Sequence, residues 1–200
     1  PEVDARTWKL RVGGASAQRT LELSLDDLRR GFEHVSIAAV NQCSGNRRGM
    51  FVPHVPGVEW GPGAMGNARW KGARLKDVLT KAGLKKDALE IVFDGADSGI
   101  FPGTPDFVKS IPVWKAMDEN TVIAWQMNGQ PLPLEHGFPV RMVIPGLYGY
   151  VSATKWVVDL ELTRFDDFDA YWVQRGWSQQ APIKTQSRID VPKPLARVAA

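Results

Sequence analysis

Apolar and polar residues alternate along TWKLRVGG (7–14) and again along RTLELSL (19–25), which predicts two strands forming a hairpin. SLDDLRRGF predicts a short helix. Ser24 is suited to cap it, Asp26 and Asp27 sit at its positive end, and Gly31 can stop it. HVSIAAVNQ (34–42) predicts a buried strand that delivers Cys43 at its end. Residues 43–69 are rich in glycine and proline, carry no periodicity and are expected to be a loop; loops of this length in compact domains are usually functional. ARLKDVLTKAGL (73–84) predicts an amphipathic helix, with Leu75, Val78, Leu79 and Leu84 on or near one face and Gly83 as its C-cap. Beyond it, ALEIVFDGAD reads as a strand ending in a turn, and IPVWKAM as a short helix. TVIAWQMNGQPLPLEHG reads as a strand, a turn at Asn128-Gly129 and an extended return. FPVRMVIPGLYGY and TKWVVDLELTRF are expected strands around a Gly/Tyr loop, and from about residue 175 the chain reads as an extended tail. Strands dominate over two or three short helices, so the fold class is α+β. The whole chain, 1–200, is expected to be one domain with its core over about 6–192.

Composition supports a folded core: 44% of residues are hydrophobic and 24% charged. The 25 Lys and Arg against 22 Asp and Glu give a net charge of +3, without a run of five basic residues. That balance disfavours nucleic acid and suits a small anion or an acidic protein partner. No apolar run approaches a membrane span. The chain opens on PEVD without methionine, which reads as a processed or trimmed product from which an export signal could have been lost. Eight tryptophans are present, at 8, 60, 70, 114, 125, 156, 172 and 177, and packing is the ordinary use of each.

Cys43 is the single cysteine and cannot form an internal disulfide. Three roles are open to it. A structural thiol prefers apolar surroundings, but Asn41-Gln42 precedes this one and Ser-Gly-Asn follows it. A nucleophile needs a base, for which only His34, His54 and His136 are available. A metal ligand is poorly matched to zinc, which wants several Cys or His, but one thiolate can anchor a metal whose other sulfurs come from an organic cofactor. Arg47 and Arg48 favour a thiolate and attract an anion beside it. Arg141, inside the apolar run FPVRMVI, must be paired or functional.

CSGNRR, GVEW, GAMGNARWKGARLKDVL, AWQMNGQPLPLEHGFPVRMVIPGLYG and TKW occur in that order. Together they resemble the molybdenum-cofactor (Mo-molybdopterin) domain of the sulfite oxidase family, and within it the bacterial sulfite dehydrogenases. The resemblance implies that Cys43 is the thiolate ligand of molybdenum. It implies that Arg48 and Trp60 line the oxyanion pocket, and that Asp97, His136, Arg141, Ala153, Thr154 and Lys155 hold the pterin and its phosphate. It implies oxo transfer to sulfite with electrons passed to a c-type cytochrome. No C-x-x-C-H is present, so the acceptor is expected on another chain. A periplasmic location follows from the same likeness, which also allows a homodimer.

Three departures qualify the match. Trp177, counted from Trp172 in AYWVQRGW, stands where the family carries a pocket tyrosine, and an indole cannot act as a phenol. Tyr148, Tyr150 and Tyr171 are the phenols that remain. The family's upstream arginine-bearing segment and its C-terminal immunoglobulin-like domain have no counterpart in these 200 residues. The alternative readings are a family member acting on a sulfoxide, nitrate or carrier-bound sulfur, and a cofactor-free non-catalytic subunit.

Overall fold

The computed structural model describes residues 1–99, 101, 106–164, 170–187, 189, 191–193 and 195–197. Strands β1 (Leu10–Gly13) and β2 (Leu21–Leu23) pair antiparallel, as the alternation predicts. Helix α1 (Leu25–Gly31) starts at a capping box. The Asp27 N–H donates to the Ser24 hydroxyl oxygen at 3.1 Å, and the Asp27 carboxylate accepts from the Ser24 N–H at 2.8 Å. Gly31 is its last residue and Phe32 the cap beyond.

β3 (His34–Gln42) delivers Cys43 at its end, but it is not buried throughout. It lies at the edge of its sheet, paired with β4 (Met65–Arg74), and its outward residues His34, Ser36, Ala38 and Val40 meet solvent. β4 also shortens the expected loop to residues 43–64, since Met65–Arg69 belong to the strand. The small residues Gly66, Ala68 and Gly72 had hidden its alternation.

Helix α2 (Leu75–Ala82) buries Leu75, Val78, Leu79 and Ala82, and Gly83 caps it at φ +76°. Next come β5 (Glu90–Gly95), β6 (Lys109–Pro112), α3 (Val113–Ala116) and β7 (Val122–Met127). The Asn128-Gly129 turn follows, with both residues at positive φ, and leads into β8 (Gln130–Pro131). The chain closes through β9 (Arg141–Val143), α4 (Gly149–Ser152) and β10 (Val157–Thr163). β6 and α4 were not expected. Both are four residues long, too short for a period to declare itself. The last residue of the final expected strand, Phe165, lies outside the described residues.

Two five-stranded sheets result, β2-β1-β10-β5-β6 and β3-β4-β7-β8 with β9 on β7. The β1–β10 pair is parallel, and the ladders are otherwise antiparallel. This is the α+β architecture that the strand-rich pattern predicts. Period-two alternation in β7 sends Ile123 and Trp125 into the larger core between the sheets, with α1 and α2. The same alternation sends Val122 and Ala124 into a second cluster with Trp70, Leu132 and Val143. Residues 178–184 lie as an extended tail against the segment before and within α4. Ile183 N–H donates to the Gly146 carbonyl at 2.8 Å and Tyr148 N–H to the Ala181 carbonyl at 2.9 Å. Residues 188, 190, 194 and 198–200 of that tail lie outside the described residues.

The β4–β7 ladder shifts register between Lys71 and Gly72, with Trp125 the extra residue on β7, and a Cβ on Gly72 would stand 1.9 Å from the Ile123 carbonyl oxygen. The close β4–β7 approach thus requires glycine. Gly72→Ala is expected to cost about 2–3 kcal/mol through forced strand separation, read as a lowered urea midpoint at unchanged m-value; an unchanged midpoint would show that the ladder yields freely.

Candidate active site

Cys43 leaves β3 in a tight turn. Its N–H donates to the Ala64 carbonyl at 3.0 Å, its carbonyl accepts from Asn46 N–H at 3.1 Å, and Gly45 N–H points at its sulfur at 3.3 Å. The thiol is exposed. An N–H donor aimed at an accessible sulfur suits a thiolate ligand better than a core thiol. Arg47 takes the left-handed conformation at φ +69° and opens a 3-10 turn over Arg48–Met50. The Arg48 guanidinium then lies between Gly45 and Gly57. A Cβ on either glycine would come within 2.8 Å of it, and its Nη1 donates to the Val58 carbonyl at 3.2 Å.

Cys43 and Arg48 line one cavity of about 530 Å³, with Pro56, Tyr150, Trp172 and Trp177 among its walls. Tyr150 meets Trp177 edge-on at 4.9 Å between centroids, and Trp172 stands 5.1 Å from Trp177. The pocket therefore pairs one thiol and one cation with an aromatic wall. Trp177 is one of the residues that line it. Trp60 does not line the cavity; it is 45% exposed on the outer loop, where its carbonyl accepts from Gly49 N–H. Of the three tyrosines, Tyr150 reaches this cavity, but its hydroxyl donates to the Ser178 carbonyl at 2.6 Å, and burial raises its pKa. Trp172 is a wall residue that the sequence did not mark. No histidine lines the cavity, so Cys43 lacks the base a nucleophile needs. Among the described residues, no three His, Cys, Asp or Glu could share a metal ion. A metal on Cys43 would need its remaining ligands from elsewhere.

The other candidate residues gather at the far end of α4. This helix begins beside Cys43, since Gly149 packs on the Gln42 carbonyl and Tyr150 lines the cavity. It ends at Ala153, whose N–H donates to the Gly149 carbonyl. Four residues of helix span about 6 Å. Thr154 follows, fully buried, with a hydroxyl that has no hydrogen-bond partner. Its carbonyl accepts from Met142 N–H at 2.9 Å, which ties it to β9 and to Arg141.

Arg141 is 5% exposed. Its guanidinium donates only to carbonyls, His136 at 3.2 Å and Met142 at 3.4 Å, and lies over the Trp70 ring at 4.9 Å. Among the described residues no carboxylate pairs with it, and desolvation draws its pKa down to about 10. Lys155 lies close by, its Nζ donating to the Glu135 carbonyl at 2.9 Å and standing over Trp156. Its pKa is lowered by desolvation and then by Arg141, with Asp97 and Glu135 opposing. Gly137, at φ +105°, fits between them: a Cβ there would meet both Arg141 and Lys155 Cβ at 3.0 Å. His136 is exposed and contributes its carbonyl to Arg141. Asp97 folds its carboxylate against Gly95, beside the Lys155 backbone. A buried guanidinium that no described carboxylate pairs with, a half-buried lysine beside it and an orphaned hydroxyl describe a receptor for an anionic, acceptor-rich group.

One further cation stands at this corner and was missed. Lys109 on β6 is 1% exposed. Its signal was the same as Arg141's, a lysine inside the apolar run FVKSIPVW.

Comparison with known proteins places the chain in a family. The oxidoreductase molybdopterin binding domain family matches residues 1–172. Mitochondrial sulfite oxidase of Rattus norvegicus is 39% identical over 196 residues, covering 95% of this chain and 35% of that protein. Nitrate reductase [NADH] 1 of Oryza sativa subsp. japonica is 35% identical over 178 residues, covering 86% of this chain and 19% of that protein. Among solved structures, the sulfane dehydrogenase SoxCD from Paracoccus pantotrophus superposes with a TM-score of 0.70 at 28% identity, covering 82% of this chain and 40% of that one. The chain thus spans between 19% and 42% of the length of these and the other curated relatives. It belongs to the oxidoreductase molybdopterin-binding domain family, as a molybdenum-cofactor domain of the sulfite oxidase type.

Proposed function

We propose that this chain is the catalytic domain of an enzyme that oxidises sulfite to sulfate and passes the electrons to a c-type cytochrome. One observation carries the reading: α4 links the cavity of Cys43 and Arg48 to the buried Arg141 and to Lys155 beside it. The residues present fit molybdopterin. Arg141 offers a planar fork and Lys155 a point charge to a phosphate. The buried Thr154 hydroxyl is a donor in want of an acceptor. The Ala153–Thr154 backbone and Asp97 flank the same corner, Asp97 as an acceptor for the pterin's amino groups. Cys43 would supply the single protein thiolate, a soft ligand suited to a metal already held by sulfur.

The cofactor supplies two-electron oxo-transfer chemistry when bound. Sulfite plus water gives sulfate, two protons and two electrons, which leave singly to the cytochrome. The chain's own part is placement and charge. Arg48, wedged between two glycine backbones, is preorganised to hold an anionic oxygen above Cys43. Tyr150, Trp172 and Trp177 keep the opposite wall apolar, which strengthens that attraction by thinning the water around it. No helix among the described residues is long and apolar enough to cross a membrane. The proposed compartment is the periplasm, on the likeness to bacterial sulfite dehydrogenases.

A second reading rests on the cavity itself. About 530 Å³ with three aromatic rings is the scale of an organic ligand and far exceeds sulfite. Trp177 in place of a pocket phenol points the same way. Sulfur borne on an organic or protein arm, or an organic sulfoxide, would use that wall. The name sulfane dehydrogenase on the SoxCD match lends support.

Steady-state cytochrome c reduction on the loaded protein separates these readings. If sulfite is the substrate, it is expected to outrun thiosulfate in cytochrome reduction, while methionine sulfoxide and nitrate, which take up electrons, are expected to leave a reduced viologen donor unoxidised; a larger sulfur compound reducing the cytochrome faster, or a sulfoxide consuming the viologen, would select the second reading. Cys43→Ser is expected to reduce sulfite oxidation to background, and substantial residual turnover would remove Cys43 from the metal. Arg48→Met is expected to lower kcat/KM roughly 10- to 100-fold, the worth of one charge-assisted hydrogen bond. Unchanged kinetics would place Arg48 outside the substrate's reach.

A further inference from the structure

Lys109 is a buried cation that nothing so far has used. It sits on β6, whose register pairs it with Phe93 on β5, two residues before Gly95. Residues two apart on a strand share a face, so Lys109 lies along the face that leads from Phe93 to the Gly95–Asp97 corner. At that corner a Cβ on Gly95 would meet the Asp97 carboxylate at 2.4 Å and the Lys155 carbonyl at 2.5 Å, so the backbone of one candidate cofactor residue and the side chain of another close on one point. The Lys109 ammonium lies 4.0 Å from the centroid of the Phe107 ring. Among the described residues it makes no hydrogen bond and no ion pair within 4.0 Å.

Three donors on a nearly inaccessible ammonium cannot remain unused without cost. The ring of Phe107 answers one face of the charge and Asp97 acts on it from beyond contact. Desolvation accordingly lowers its pKa to about 8. Asp97's charge also acts on Lys155, as does that of Glu135, so Asp97 is the carboxylate that Lys109 and Lys155 share.

We propose that Lys109 is a further cofactor-binding residue, its ammonium donating to an acceptor oxygen of the molybdopterin at the corner it shares with Asp97 and Lys155. This rests on the family's cofactor being bound here. A purely structural lysine would instead serve by holding Asp97. The two roles part in the apoprotein. A cofactor-binding lysine is an uncompensated charge until the anion arrives, so its neutral replacement leaves the empty fold as stable or more so. A lysine that holds Asp97 takes stability with it.

The test compares wild type with Lys109→Met, produced in cells that make the cofactor and in cells that do not. Molybdenum by elemental analysis and pterin by the fluorescence of its oxidised form are measured per chain, at purification and through dialysis. Thermal melting is followed on the apoproteins. The proposal expects Lys109→Met to melt at or above wild type when empty and to lose cofactor roughly 10- to 100-fold faster. Lys109→Arg is expected to restore part of the retention. Equal loading and retention in Lys109→Met would overturn it, as would a destabilised apoprotein whose folded fraction retains cofactor normally. If Lys109→Met does not fold, Lys109→Gln replaces it, a neutral side chain that keeps the reach. A wild type that itself carries no cofactor would defeat the family reading and this proposal together; normal wild-type loading with an unaffected variant would defeat this proposal alone.

Discussion

The arrangement depends on one constraint: a guanidinium has been taken out of water without a carboxylate among the described residues to meet it. Arg141 is held by two backbone carbonyls and a tryptophan face, and burial lowers its pKa only to about 10, so it remains cationic at neutral pH. Buried charge of this kind costs several kcal/mol unless an opposite charge is brought in. Lys155 beside it makes the deficit larger. The fold tolerates this because the surrounding frame is well satisfied, with β9 laddered to β7 and Thr154 tied to Met142. Stability given up at the corner becomes affinity for an anion there.

The second constraint is distance. α4 is a spacer whose first turn touches the Cys43 loop and whose last residue opens the cationic corner. A group with a metal-binding end and an anionic end can bridge the two places without the fold moving. The register shift at Gly72 sets the other side. There β4 lies close on β7, and Trp70 of β4 stands under Arg141 of β9, the strand on the other side of β7. The aromatic wall and Arg48 then complete a mouth whose two faces differ in character, one suited to an anionic oxygen and one to carbon or sulfur.

Much of this was legible in the chain, for identifiable reasons. The β1–β2 hairpin, the Ser24 cap and the Asn128-Gly129 turn are local devices, and local devices are written in adjacent residues. β3 was expected to be buried because its apolar content is high, but edge position is a property of the sheet and not of the strand. β4 was lost in an apparent loop because the residues that permit close packing, Gly66, Ala68 and Gly72, are those without a hydrophobic signal. Arg141 announced itself as a charge in an apolar run, and Lys109 carried the same mark within FVKSIPVW. The wall of Tyr150, Trp172 and Trp177 was not legible as a unit, since two of its members come from the segment after β10 and meet the third only in space. Family likeness supplied the roles of Cys43, Arg48 and the pterin residues. The structure brings Cys43 with Arg48, and Arg141 with Thr154 and Lys155, while leaving Trp60 outside.

The central claim is that the cationic corner and the exposed thiol are two ends of one cofactor site. Molybdenum and pterin content, measured on the same preparation of wild-type chain from cells that make the cofactor, tests it most directly. About one molybdenum atom and one pterin per chain, both lost together on denaturation, is the result this account expects. A folded chain that carries neither would contradict it, and would leave the buried Arg141, with Lys155 beside it, awaiting a different anion.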